Sequence, residues 1–441
     1  LLVAVALVVN GQSVAQAQSA SPDSLATPEA NLENSALAPT GRDLRGTTRE
    51  LPRGATALQY TGRALLFLPW AAIEIVTLPI LGLVYVAEHL EIARDIGRFL
   101  GSDLELWRFK LGLYVQSQSG AGSPAPGIRI RGKDWVGEGS NFDLIAGFLS
   151  PRQNQVGLRA TSRPTVLQGS VTALYSNLRD QPFYGVGPGS PDEKFAANRE
   201  RGLVEASLIL GPRTKFPLTF TGYYRTTRLS DPSDGDAVQS GFPFLYDKAQ
   251  NSGYGGMEAG FAFDNRNNGR FSTSGVLAEV LGGVDHAATD NSDYTHYSAE
   301  IDAFLDLADR NRVLAFRVFA AGMEVDDPAR LPYTELERPG GGNGLRGYNR
   351  FRFADLTQIV MTLAYRYRVT TTAQAWIFTD WGSVARSWEK MRLADTDPSI
   401  GMGVGLFRSS FLGFQAAVSP EGWQFYVGVQ PIVERSSRRL R

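Results

Sequence analysis

From residue 107 onward the chain keeps a single period, and that period is two. In residues 107–116, Trp107, Phe109, Leu111, Leu113 and Val115 alternate with Arg108, Lys110, Gly112, Tyr114 and Gln116. Residues 257–264 set Met257, Ala259, Phe261 and Phe263 against Glu258, Gly260, Ala262 and Asp264. Residues 359–368 set Ile359, Met361, Leu363, Tyr365 and Tyr367 against Val360, Thr362, Ala364, Arg366 and Arg368. Successive side chains of a strand point to opposite faces, so each run has one apolar face and one small, polar or charged face. A soluble sandwich also alternates, but its strands average about 5–6 residues. Many runs here reach about ten residues, the length a tilted strand needs to cross a bilayer.

About sixteen such segments start near residues 108, 126, 140, 153, 166, 200, 215, 253, 272, 295, 311, 356, 373, 398, 411 and 422. The number is even, as bacterial barrels require. Short turns alternate with longer links near 178–198, 229–251, 285–294 and 324–355, which puts the long links on one side. Trp107, Trp381 and Trp423 fall near segment ends, where an interfacial girdle would lie. The expectation is an all-β fold: a 16-stranded antiparallel transmembrane β-barrel with its apolar faces toward lipid. Its lumen would carry Arg129, Arg131, Glu258, Glu300, Asp302, Asp306, Arg317, Arg366 and Arg368.

Ahead of the barrel the chain changes character. Residues 1–17 read as the remnant of a secretory signal, with an apolar stretch too short to span and small residues at Ala15 and Ala17. Residues 18–55 read as a flexible linker rich in Ser, Ala, Pro, Asn and Thr. Residues 56–105 form an apolar and then amphipathic segment, expected as periplasmic helices lying at the membrane surface or against a β-structure. Glu74, Pro69 and Pro79 argue against a transmembrane helix there. The barrel then occupies 106–434, and residues 435–441 are a basic tail.

Composition removes several chemistries. With no cysteine there is no disulfide and no thiolate nucleophile or ligand. A net charge of −1 gives no case for nucleic acid. His89, His286 and His296 are the only histidines; HExxH and G-x-S-x-G are absent, and His286 and His296 read as exposed loop residues. No catalytic residue, metal site or cofactor is expected.

The link before the twelfth segment holds Gly340, Gly341, Gly342 and Gly344, followed by Leu345, Arg346, Gly347 and Tyr348. A phosphate loop would need a helix next and Gly-Lys-Ser/Thr at its end; a strand follows instead. This L-R-G-Y after a glycine run resembles the [V/L]-R-G-[F/Y] motif of the BamA/TamA superfamily, whose members share the bacterial surface-antigen barrel domain. Phe378, Asp380 and Gly382 resemble its F-x-D-x-G strand motif, and Asp264 with Arg266 resembles a stretch that ends an earlier strand.

The resemblance covers roughly 107–434 and implies a site. The long loop would fold into the lumen as an internal plug, and Arg346 would meet Asp380. It also implies a non-enzymatic barrel in the outer membrane of a Gram-negative-type bacterium. Such a barrel acts in outer-membrane biogenesis, by protein insertion or translocation. Its partners would be outer-membrane lipid and unfolded outer-membrane or secreted proteins. A seam between first and last strands would open toward lipid, with Gly428 and Pro431 consistent with weak pairing. The stretch before the first strand lacks the βααββ pattern of the family's POTRA modules. The alternative is a passive channel or structural outer-membrane barrel.

Overall fold

The computed structural model describes residues 104 to 428, with short interruptions at 107–108, 118–123, 135–136, 151–152, 234, 268–271, 289–291, 309–311, 369–372, 393–396 and 407–411. The leader, the linker, nearly all of the helical segment, the basic tail and Pro431 lie outside the described residues.

Sixteen long strands and two short ones form one sheet. A short strand β1 (Leu104–Leu106) folds back on β2 (Phe109–Ser117). There follow β3 (Pro124–Lys133), β4 (Asn141–Ser150), β5 (Gln153–Thr161), β6 (Leu167–Phe183), β7 (Phe195–Leu210), β8 (Leu218–Ser230) and the two-residue β9 (Asp236–Ala237). The second half holds β10 (Asn251–Asp264), β11 (Gly275–Ala287), β12 (Tyr294–Ala308), β13 (Arg312–Val325), β14 (Thr357–Arg368), β15 (Ala373–Ala385), β16 (Asp397–Leu406), β17 (Leu412–Ser419) and β18 (Gly422–Gly428). Each long strand pairs antiparallel with its neighbour in the sequence, β8 with β10 across the β9 excursion. The strand order sets β18 beside β2. Among the described residues no paired register joins those two, and β1 holds the lower edge of β2.

Burial along the strands inverts that of a soluble protein. On β8, Thr219, Thr221, Tyr223, Arg225 and Thr227 are buried, while Leu218, Phe220 and Tyr224 are exposed. Ile128, Val204, Met257, Phe316, Ile400 and Phe425 continue the exposed apolar surface around the sheet. Glu258, Glu300, Asp302, Arg317 and Arg366 face inward and are buried. Such a wall is stable only with lipid outside and polar partners within.

Two boundaries differ from the sequence reading. The links expected at 178–198 and 229–251 are shorter. β6 runs on to Phe183 past a register shift between Leu178 and Gln181, where Asp180 has a positive φ of 49°. That bulge breaks the alternation, so the strand end does not show in the pattern. The second link contains two short helices, α1 (Val238–Gly241) and α2 (Pro243–Ala249). Val238, Tyr246 and Ala249 pack there with Phe183, Phe195 and Tyr333 at one mouth of the lumen.

Candidate functional site

The link from 326 to 356 turns inward. Leu331, Tyr333, Leu345, Tyr348, Phe351, Phe353 and Ala354 are all buried. Its base is closed by a single bridge between Glu337 and Asp355, through backbone bonds of 2.9 and 3.1 Å. Beyond that bridge the chain reverses tightly. Gly340 and Gly341 have φ of 124° and 78°, values that other residues adopt only with strain.

At the loop's tip Arg346 meets Asp380 of β15. The guanidinium donates from Nε to Oδ2 at 2.9 Å and from Nη2 to Oδ1 at 2.6 Å. The backbone N–H of Arg346 adds a third bond to Oδ2 at 3.1 Å. Thr362 on β14 donates to Oδ1 at 2.8 Å. Asp380 is 0% exposed and Arg346 3%, so this is an ion pair wholly removed from water. The guanidinium carbon lies 3.3 Å from the centre of the Phe378 ring, which covers the cation's face. A planar fork suits this bidentate contact in a way an ammonium does not.

The other motif residues gather around the same contact. Gly382 faces Leu345 so closely that a Cβ would come within 2.9 Å of it. At Gly347 a Cβ would sit 2.5 Å from Ser399 Cβ and 2.8 Å from the Val418 carbonyl. Tyr348 donates to the Pro398 carbonyl at 3.2 Å and packs edge-on against Phe353. The glycines thus do different work. Gly342 and Gly344 have only ordinary contacts, with Tyr426 and Val360 at 3.6 Å. Asp264 and Arg266 lie elsewhere: Asp264 ends β10, and Arg266 in the turn that follows grips it at 2.9 and 2.7 Å.

Several residues that hold the loop were not singled out from the sequence. Tyr426 on β18 donates to the Arg346 carbonyl at 2.8 Å, and Gln424 donates to Asn349 at 3.0 Å. Arg352 bonds Ser190 at 2.8 Å, Asp192 at 2.5 Å, and Glu421. On the opposite wall, Arg225 of β8 pairs with Glu335 of the loop at 2.7 Å and Asp285 of β11 at 2.9 Å. Tyr294 donates to Glu335 at 3.0 Å, and Tyr223 to Asp285 at 3.0 Å. Burial works to raise the Glu335 carboxyl, but the Arg225 and Arg201 cations and the Tyr294 hydroxyl overcome it and hold it below its usual range.

His296 corrects the sequence reading. It is no exposed loop residue: it is 3% exposed, bonded to Asp285 at 2.8 Å and 3.3 Å from Glu258. It sits on β12 with the parity of Glu300 and Asp302, and therefore points inward. His286, beside it on β11, is exposed and pairs with Asp293 at 2.9 Å.

Comparison with known proteins gives the family and the fold. The family model of the Omp85 superfamily domain matches residues 135–411. Among solved structures, the chain is similar to BamA from Haemophilus ducreyi lacking POTRA domains 1–3, with a TM-score of 0.55 at 14% identity over 73% of this chain and 70% of that one. It is also similar to CdiB from Escherichia coli, with a TM-score of 0.51 at 10% identity over 74% of this chain and 62% of that one. The chain therefore spans less than two thirds of the length of that CdiB. At these identities the likeness is one of fold. No curated protein matches the chain.

Proposed function

The chain belongs to the Omp85 superfamily, as an outer-membrane β-barrel, and from that premise we propose that it acts without enzymatic chemistry in outer-membrane biogenesis, inserting or translocating proteins. The loop 326–356 serves as an internal plug, and Arg346 with Asp380 is its latch. The observation that carries this reading is the doubly bonded, fully buried pair at the tip of a loop that occupies the lumen. An ion conductor needs a continuous wet path, and a loop anchored on both walls works against one.

The latch has a clear physical logic. A buried carboxylate is tolerable only if its lone pairs are filled, and Asp380 accepts from two guanidinium N–H groups, a backbone N–H and a hydroxyl. Three of these donors come from the loop, while the wall supplies only the hydroxyls of Thr362 on β14 and, at 3.5 Å, Ser399 on β16, so the carboxylate is fully satisfied only while the loop is home. The partners of such a barrel are outer-membrane lipid and unfolded outer-membrane or secreted polypeptides.

The test is reconstitution. Purified barrel in liposomes should accelerate insertion of a second, unfolded barrel protein, and Arg346→Ala should reduce that acceleration. If insertion is not accelerated, and bilayers containing the intact chain already conduct steadily, the passive-channel reading replaces this one.

A further inference from the structure

Beside the Arg225–Glu335 contact the lumen gathers cations that the latch does not use. Arg199 and Arg201 share a face of β7 with the buried Leu203 and Glu205, and Arg199 is 3% exposed. Arg338 and Arg350 come from the loop. Both set their guanidinium groups on the Phe351 ring, with the carbons 4.2 and 3.9 Å from its centre. Phe351 has a positive φ of 57°, uncommon for so bulky a residue. Arg350 also donates to Gln181 at 2.7 Å, and Gln181 stands opposite Ala197 in the β6–β7 register. The next two inward positions along β7 are Arg199 and Arg201, each about 7 Å further on.

These charges are not balanced. A guanidinium keeps its proton in a protein, so one held away from water needs a counter-charge. Among the described residues Arg199 and Arg350 form no ion pair, and the Arg199 Nε and Arg350 Nη2 are buried without a hydrogen-bond partner. Burial, followed by the Arg199 and Arg338 cations, weighs against charge on Arg350 and pushes its pKa well below the ordinary range. Nearby carboxylates are already engaged: Glu335 and Asp285 with Arg225, and Glu337 with Gln358.

A cavity of about 20 Å³ opens among these groups, lined by Arg201, Arg225, Arg338 and Thr334, with Glu335 and Glu337 also in its wall. Three guanidinium groups against two carboxylates leave the lining positive. Two donors in that wall lack an acceptor. The Nε–H of Arg225, a residue 5% exposed, and the Thr334 hydroxyl are buried with no hydrogen-bond partner among the described residues. Unpaired donors amid surplus positive charge call for an acceptor that is itself negative. The space suits one monatomic or water-sized species and is too small for sulfate or phosphate. We propose that the cavity is a halide site, in which chloride accepts from Arg225 and Thr334 and offsets the surplus charge of Arg199 and Arg350. Its neighbours come from β7, β8 and the loop, so the ion is an exchangeable tie between plug and wall. The site stands whether the barrel inserts proteins or conducts ions.

The full-length chain, folded in liposomes, would be exposed to protease in sodium chloride and in sodium gluconate at one ionic strength, which keeps screening equal. Saturating chloride should slow cleavage of the loop about tenfold relative to gluconate, and bromide should act like chloride. Thr334→Val removes a donor with little change of shape, and should raise the half-saturating chloride concentration about tenfold. Arg199→Gln should lower protection in chloride but not in gluconate, where loss of one cation relieves repulsion. Equal cleavage in the two salts overturns the site, since water then suffices to fill it. Protection by sulfate or inorganic phosphate without protection by chloride overturns the assignment to a halide. A chloride effect with the same midpoint in both variants also overturns it, because the ion then binds elsewhere. Should Arg199→Gln fail to fold, the Thr334→Val midpoint decides alone.

Discussion

The loop is held at two places, and the two holds are built differently. At its tip, among the described residues, Arg346 pairs with one carboxylate, Asp380, and Asp380 with no other cation. On the opposite wall, Arg225 shares Glu335 and Asp285, and Asp285 also receives Tyr223 and meets His296. The first hold is an exclusive pair and the second a network with reserves. An exclusive buried pair fails completely when either member goes, because the survivor is stranded away from water. A network loses one member and redistributes the rest. The tip is therefore the place where loop and wall are bound all or none.

The largest effect should follow removal of one half of the pair. Arg346→Ala or Asp380→Ala should each cost on the order of 3–5 kcal/mol and expose the loop to limited proteolysis. The double variant should be no worse than about the worse single, and Arg346→Lys should recover only part. Additive losses measured by barrel melting would mean the two residues do not depend on each other.

Next in size is the fit of the backbone at the tip. Gly347→Ala should cost about 1–3 kcal/mol, since its Cβ would press on Ser399 and Val418. Gly342→Ala, facing Tyr426 at 3.6 Å, should change little. Equal behaviour of the two alanines in melting assays would put the close approach at Gly347 in error.

On the network side, Glu335→Gln should cost less than either tip variant, about 1–2 kcal/mol, because Arg225 keeps Asp285. Loop protection that falls as far as in Asp380→Ala would erase the distinction between the holds. The smallest effect is that of pH. Glu335 is held below its ordinary value of 4.5, so its contribution is complete above that value and is lost as pH falls through the lowered one. Loop protection should decline in that acid range, and the part due to this residue should vanish in Glu335→Gln. An unchanged acid profile in that variant would assign the decline to other groups.

What could be read in advance follows from distance along the chain. The wall was legible because period-two alternation is local, and each segment declares its own outward face. The site at Arg346 and Asp380 was legible only through resemblance, since nothing local ties the two together. Arg225 and Glu335 had no such help: more than a hundred residues separate them, and only closure of the wall brings them into reach. His296 was a missed opportunity, for its parity with Glu300 and Asp302 already turned it inward. The helices α1 and α2 were hidden because stretches of 4 and 7 residues carry too little periodicity to stand out.

The described part of the last strand, β18, runs from Gly422 to Gly428. It is bonded to the loop through Tyr426 and Gln424, as well as to β17. Two such bonds are worth about 0.5–1.5 kcal/mol each. They join two events that would otherwise be independent, departure of the loop from the lumen and departure of β18 from the wall. Linkage is reciprocal: whatever free energy a seated loop lends to β18, a seated β18 lends to the loop. Anything that draws the last strand out of the wall therefore weakens the loop's seat by the same amount, with no contact to the loop at all.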